Sequence, residues 1–100
     1  MHVNIKVLGR IFPVNVVAMK EDEKEIVYYL DDDEKLRLNE IVDILPKEKC
    51  SLYEEDRFWN LYRFECHIDG VIYRYGRNKD TGDVEYFGII ADDKTIWLIF

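Results

Sequence analysis

CHIDGVIYRYG, residues 66–76, is the stretch that decides how this chain folds. Asp69-Gly70 is among the strongest two-residue hairpin signals, because both turn positions need a positive φ that Asp and Gly tolerate. The stretch therefore predicts an antiparallel hairpin whose register can be counted outward from the turn. The predicted pairs are Ile68 with Val71, His67 with Ile72, Cys66 with Tyr73, Glu65 with Arg74 and Phe64 with Tyr75.

Side-chain alternation gives the two faces of this hairpin opposite characters. On the polar face Glu65 lies opposite Arg74, an opposite-charge pair that contributes roughly 0.2–1 kcal/mol. The other face is apolar and is the predicted core face. It carries Phe64, Cys66, Ile68, Val71, Tyr73 and Tyr75.

Glu65, His67 and Asp69 are the candidate catalytic residues, at alternate positions on the polar face. Two carboxylates around a histidine can raise its pKa or hold a divalent metal. Three side chains that rise from one nearly straight strand fan out, however, so a solvated strand face is the simpler interpretation. We predict no metal site and no cofactor here.

The chain from Arg57 onward predicts four strands in succession, separated by turns that are rich in Asp and Gly. In the last hairpin Gly88 falls opposite Trp97, where the missing side chain leaves room for the indole. The last two strands are apolar on both faces, which is typical of strands that are covered on both sides. The available covers are the predicted helix and an N-terminal hairpin, unless one face is left for a partner.

The N-terminal segment predicts a hairpin with a wide turn over residues 8–11, since that register aligns the apolar faces of both strands. It pairs Val7 with Phe12, Ile5 with Val14 and Val3 with Val16. Residues 26–30 predict a third strand, because they are β-branched and aromatic.

Residues 31–56 carry weaker signals. KLRL (35–38) alternates like a strand, and Asn39 is a plausible N-cap of a short helix that Pro46 stops. A longer helix that begins at Glu34 is the alternative, because an Asp three residues before it mimics a capping box. The segment 46–56 reads as a polar loop.

Composition narrows the class of protein. The 100 residues fit one domain, 1–100, and carry a net charge of −7 with a pI near 4.8. Such a surface repels phosphate backbones and anionic membranes, so neither direct nucleic-acid binding nor membrane attachment is expected. The two cysteines are too few for a disulfide scaffold and are expected to be free thiols. Without a secretion-signal pattern, we predict a cytoplasmic location.

The predicted fold is α+β and mainly β, with about seven antiparallel strands in hairpins and one short helix near residues 40–45. Because the C-terminal strands are apolar on both faces, the sheet should curl into a roll or a partly open barrel.

The predicted function is that of a small acidic protein-interaction module, such as an inhibitor or immunity-type protein that binds a basic partner. A partly exposed Trp59 beside Arg57 and Arg63 is a common type of interface anchor, and packing of Trp59 under the loop 46–50 is the alternative. Acidic runs in loops could form a negative rim that meets a basic cleft. The runs assigned to partner binding are Asp31, Asp32, Asp33 and Glu34, and Glu54, Glu55 and Asp56.

Two other functions remain open. The first alternative is a small-molecule-binding β-roll or barrel, whose cavity Tyr28, Tyr73, Tyr75 and Tyr86 would line. The other is an enzyme that uses the Glu65, His67 and Asp69 set, although nucleophilic motifs of the usual kinds are not found. Homo-oligomerisation is compatible with each of these functions.

Overall fold

The computed structural model describes residues 1–100 and confirms a mainly β, α+β fold with a curled sheet that is not closed. Helix α1 (Lys35–Asp43) connects the third and fourth of eight strands, and short 3-10 turns flank it at 32–34 and 47–49. The strands are β1 (His2–Val7), β2 (Arg10–Glu21), β3 (Glu25–Leu30), β4 (Cys50–Asp56), β5 (Leu61–Ile68), β6 (Val71–Asn78), β7 (Val84–Ile90) and β8 (Thr95–Ile99).

The strands form one mixed sheet in the order β1-β2-β3-β8-β7-β6-β5-β4. Neighbours pair antiparallel except β3 and β8, which run parallel from Glu25 opposite Thr95 to Tyr29 opposite Ile99. The parallel pair was not predicted, because its partners lie 70 residues apart (95 − 25) and no local pattern links them. It joins the N-terminal strands to the C-terminal meander.

The β5–β6 hairpin confirms every predicted pair, from Ile68 opposite Val71 to Phe64 opposite Tyr75. Asp69 and Gly70 adopt φ values of 50° and 79°, as a two-residue turn of this type requires. Phe64 and Tyr75 stack with ring centroids 5.0 Å apart, so they share a face. The predicted pair of Gly88 with Trp97 is also present between β7 and β8.

The β1–β2 hairpin forms with a different register from the one predicted. A two-residue turn at Leu8 and Gly9 makes Ile5 face Phe12 instead of Val14. The shift of two residues keeps the same side chains on the buried face, which is why alternation alone could not exclude it. β2 is then shared between two partners, since its first half pairs with β1 and its second half with β3.

Two predictions between residues 31 and 56 are wrong. KLRL is helical, so α1 begins at Lys35 as in the longer alternative, and Asn39 lies inside the helix instead of capping it. Asn39 Oδ1 instead accepts a hydrogen bond of 3.0 Å from the backbone N–H of Val84. The supposed polar loop contains β4, which forms an edge of the sheet with mostly exposed side chains.

The core lies on the inner face of the curled sheet, beneath the β1–β2 hairpin and α1. The helix contributes Leu38, Ile41 and Val42, all of them fully buried. The hairpin and the sheet contribute most of the remaining core residues: Ile5, Val7, Phe12, Val14, Val16, Leu30, Cys66, Tyr73, Tyr75, Val84, Phe87 and Leu98. Both predicted covers therefore lie on one face, and the expectation that the C-terminal strands are covered on both sides is wrong.

The cysteines are not free thiols. Cys50 on β4 lies directly opposite Cys66 on β5, with Cα atoms 4.0 Å apart, and a disulfide joins them. Cys66 points into the core, as predicted from its face, but as half of a cross-strand bridge. The sequence did not show this pairing because β4 was not recognised as a strand.

Candidate functional site

The turn between β4 and β5 presents two large aromatic side chains to solvent. Phe58 is 85% exposed and Trp59 is 66% exposed, the highest values among the chain's aromatic residues. Their rings meet edge to face with centroids 5.1 Å apart. We call Phe58 and Trp59 the aromatic tip. Exposed side chains of this size are typical of binding surfaces.

Hydrogen bonds hold the backbone of this turn in one conformation. Asp56 Oδ1 accepts a bond of 3.0 Å from the backbone N–H of Trp59. Asn60 adopts a φ of 58°, a conformation that Asn tolerates better than most residues. Its side-chain amide donates to Asp80 at 2.9 Å, and its carbonyl accepts from the N–H of Lys79 at 3.0 Å. The aromatic tip is therefore anchored to the β6–β7 turn.

Arg63 connects the base of the tip to the outer face of the sheet. Its guanidinium lies 2.8 Å from a carboxylate oxygen of Asp56 and 2.8 Å from one of Glu54. It also donates to the Tyr86 hydroxyl at 2.8 Å, and its Cζ lies 5.3 Å from the centre of that ring. The pKa of Asp56 is lowered, first by the Trp59 N–H and then by Arg63. Arg63 is a structural residue here and has no free donor fork aimed at solvent.

The acidic runs do not converge on one site. Glu54 and Asp56 are paired with Arg63, and Glu55 lies 2.8 Å from Lys79, which lowers the pKa of Glu55. The run 31–34 follows β3, at the same end of the strands as the last residues of β4, but β3 and β4 are five positions apart in the sheet. The turns at 22–24 and 91–94 meet at the opposite end of the strands, where Lys94 Nζ lies 3.2 Å from Glu21.

Glu65 and His67 are brought together, and Asp69 is not. His67 Nε2 lies 2.6 Å from Glu65 Oε1, while the other oxygen of Glu65 accepts from Arg74 at 2.8 Å. These hydrogen bonds, from His67 first, lower the pKa of Glu65. Asp69 lies in the turn. No group of three metal-binding side chains is present in the structure.

The four tyrosines that were predicted to line a cavity separate between the two faces of the sheet. Tyr73 and Tyr75 are core residues, and Tyr28 packs against the core from β3. Tyr86 lies on the outer face, where its hydroxyl accepts a hydrogen bond from Arg63. Burial first, and then the neighbouring Tyr86 hydroxyl, raise the pKa of Tyr53 to about 12. Two depressions in the surface lie around residues 20–27 and are lined mainly by charged side chains.

Sequence reasoning identified Trp59 but missed Phe58, because a strand predicted to begin at Arg57 places the two side chains on opposite faces. That start is wrong, since β5 begins at Leu61 and both residues lie in the preceding turn. A signal was present, because Asp56 and Asn60 bracket the pair and both residue types favour turns. Tyr53 was missed because its strand was not recognised. Once β4 is known, alternation from Cys50 and Leu52 places Tyr53 on the outer face. The β-bulge between Leu52 and Glu54 then brings Glu54 to the same face, opposite Arg63, and simple alternation does not predict bulges.

No helix in the structure is both long and apolar enough to cross a lipid bilayer. No family model, curated protein or solved structure matches the chain.

Proposed function

We propose that this protein is an interaction module that binds another protein through the aromatic tip. The observation that carries the proposal is the exposure of Phe58 and Trp59 on a turn whose backbone is already fixed. A few aromatic or Arg side chains commonly supply most of the affinity of an interface. Holding them in place before binding reduces the entropy that association costs. The natural complement of the tip is an apolar pocket on the partner.

The net charge of −7 supports a basic partner, which long-range attraction would bring to the protein faster. An inhibitor or immunity-type protein would use such an attraction against a basic enzyme. Because Glu54, Glu55 and Asp56 are engaged in ion pairs, their part is to fix the tip. Asp32 and Asp33 lie at the same end of the strands as the aromatic tip. They are exposed and make no ion pair, so they are better placed to meet basic groups.

The cytoplasmic location predicted from the sequence needs a test of its own. Disulfides persist mainly in oxidising compartments, so the Cys50–Cys66 bridge weighs against a reducing cytoplasm. Alkylation of free thiols in intact cells before lysis shows which state the protein has there. Alkylated cysteines support the cytoplasm, and a protected pair supports an oxidising compartment.

The binding proposal is tested by retention on immobilised chains. Wild type is compared with Phe58→Ala/Trp59→Ala, and with Leu36→Ala as a matched control, since Leu36 is 73% exposed on α1. A partner should be retained by wild type and by the control. The double variant should bind it at least about 30-fold more weakly, because removal of a hot spot costs 2 kcal/mol or more.

Salt separates the electrostatic part of the proposal from the aromatic part. Retention of a basic partner should fall as NaCl is raised from 50 to 500 mM, because the screening length is about 10 Å at 0.1 M salt and becomes shorter above it. A set of retained proteins that is the same for wild type and the double variant contradicts a role for the tip. Retention that is insensitive to salt contradicts a basic partner and leaves the tip as the binding element.

A further inference from the structure

The outer face of the sheet carries a continuous apolar surface that no element of the chain covers. Register partners share a face, and one row runs from Val27 to Trp97, Gly88 and Arg74 across β3, β8, β7 and β6. The apolar side chains of this face on these four strands neither belong to the core cluster nor pack against it. We call these seven half-buried residues the outer apolar patch: Val27, Tyr29, Ile72, Tyr86, Ile90, Trp97 and Ile99.

The centre of the outer apolar patch is flat because two glycines form its floor. A Cβ at Gly88 would lie 2.3 Å from a carbon of the Trp97 ring, so the indole rests directly on the backbone. The Tyr86 ring covers Gly76 in the same way, with a carbon 2.5 Å from the position of a Cβ. Large rings that lie flat on a sheet present area without gaps, which suits packing against another flat sheet.

Charge distinguishes the outer apolar patch from the rest of the surface. The outward positions of β7 and β8 within it carry no charged residue. At its border Arg74 is paired with Glu65, and Arg63 is paired with Glu54 and Asp56. Lys20, opposite Val27, is a border charge without an ion pair, and its Nζ lies 6.0 Å from the centre of the Tyr29 ring. Two copies of a chain with a charge of −7 repel each other, and the repulsion is weakest where local charges are absent or balanced.

From this distribution of charge we propose that the outer apolar patch binds a second copy of this chain, sheet face against sheet face. A two-fold axis through the patch would place Trp97 and Tyr86 of both copies in one layer between sheets about 10 Å apart. Four strands about 4.8 Å apart span only about 14 Å between the outermost strand axes. Along the strands the face is only about 17 Å long, because five residue pairs join β3 to β8 at about 3.3 Å per residue. The contact is therefore smaller than the ~800 Å² per partner of a standard interface, so the dimer dissociates readily on dilution.

Sedimentation velocity of the purified full chain tests the proposal. The expected result is a shift from monomer to dimer as the concentration rises from 10 to 500 μM. Higher salt should strengthen the dimer, because it screens the repulsion between two acidic chains and favours apolar burial. A chain that is monomeric at 500 μM in 500 mM NaCl overturns the proposal.

Substitutions in the outer apolar patch locate the interface. Ile72→Lys should weaken the dimer at least about tenfold, because two-fold symmetry would bury the unpaired ammonium once from each copy. Val27→Lys should act in the same direction from a different strand. The matched control is Ile11→Lys, because Ile11 is 62% exposed on the β1–β2 hairpin. Dimerisation that survives both patch variants, with circular dichroism confirming that they fold, overturns the proposed face.

A second measurement does not depend on a charged substitution. Trp59→Phe leaves Trp97 as the only tryptophan, since the chain has two. Acrylamide should quench its fluorescence less at high protein concentration than at low concentration, because a second copy covers the ring. Quenching that is independent of concentration while dimers form places the contact elsewhere and overturns the proposal.

The two proposals fail separately. Phe58→Ala/Trp59→Ala should lose the protein partner and still dimerise like wild type. Ile72→Lys should do the reverse. The salt dependences also have opposite signs, since salt weakens attraction to a basic partner and strengthens self-association of an acidic chain.

Discussion

At the scale of single residues, the positions with the clearest physical roles are those where a side chain is missing or a backbone angle is unusual. Gly88 was predicted to make room for Trp97, and the structure confirms that the ring occupies that space. Asp69 was predicted in the tight turn and is found there with a positive φ. Asn39 shows the limit of such reasoning, because its amide bonds to Val84 across the fold and no local pattern marks that partner.

Gly88→Ala should destabilise the protein by about 1–3 kcal/mol, the usual cost of overpacking. The new methyl group would overlap the Trp97 ring, which cannot shift without losing its contacts on the outer face. Urea denaturation measures the change in the free energy of unfolding. Trp97→Leu combined with Gly88→Ala should recover part of the loss, because the smaller side chain leaves space above residue 88. A double variant that is no more stable than the additive sum contradicts this account.

At the scale of strands and helices, prediction succeeded where a turn and its flanking alternation are close in sequence. The β5–β6 and β7–β8 hairpins were predicted in register for this reason. It failed for β4, because an edge strand with exposed polar side chains lacks the apolar alternation that marks a buried strand. The aromatic tip was half predicted for the same reason, since without β4 the turn signal of Asp56 and Asn60 has no strand on its first side.

The edge strand β4 is held by the Cys50–Cys66 disulfide, which closes a loop with a sequence separation of 16. Cys50→Ala/Cys66→Ala should lower the free energy of unfolding by about 2–3 kcal/mol, since the cross-link restricts the unfolded chain. Denaturation with guanidinium chloride in the absence of reductant measures the difference. Addition of dithiothreitol should move wild type toward the variant and leave the variant unchanged. Equal stability of wild type and variant without reductant contradicts a stabilising bridge.

At the scale of the whole molecule, the structure combines an acidic surface with ion pairs that use part of that acidity. The size and the net charge follow directly from the composition, whereas the placement of the charges depends on long-range topology. The parallel contact between β3 and β8 brings the acidic turns at 22–24 and 91–94 to one end of the strands. The acidic runs at 31–34 and 54–56 lie at the opposite end. This distribution could not be read from the sequence, because it depends on a pairing between distant strands.

Four carboxylates have a lowered pKa in the folded protein: Asp22, Glu55, Asp56 and Glu65. A lowered pKa gives stability that is present above the unfolded value of about 4 and is lost as the pH falls through the folded value. The free energy of unfolding should therefore begin to fall below about pH 4. Glu65→Gln should make this fall less steep. At pH 7 the variant should have a free energy of unfolding less than about 1 kcal/mol below that of wild type, because the contacts of Glu65 with His67 and Arg74 lie near the surface.

Glu23→Gln is the control for this measurement, because Glu23 is exposed and makes no ion pair. Its pH profile should run parallel to that of wild type. Urea denaturation at pH values from 2 to 7 gives all three profiles. A Glu65→Gln profile that coincides with the wild-type profile would show that the contacts with His67 and Arg74 do not contribute to acid stability.

The position of β8 between β3 and β7 has a consequence during synthesis. The first three strands leave the ribosome long before the strand that joins them to the rest of the sheet, so one side of β3 stays without hydrogen-bond partners while residues 31–94 are translated. The nascent chain must keep that open strand edge from pairing with neighbouring polypeptides. The lysines and glutamates around it, at 20–25, are the kind of charged residues that discourage such pairing.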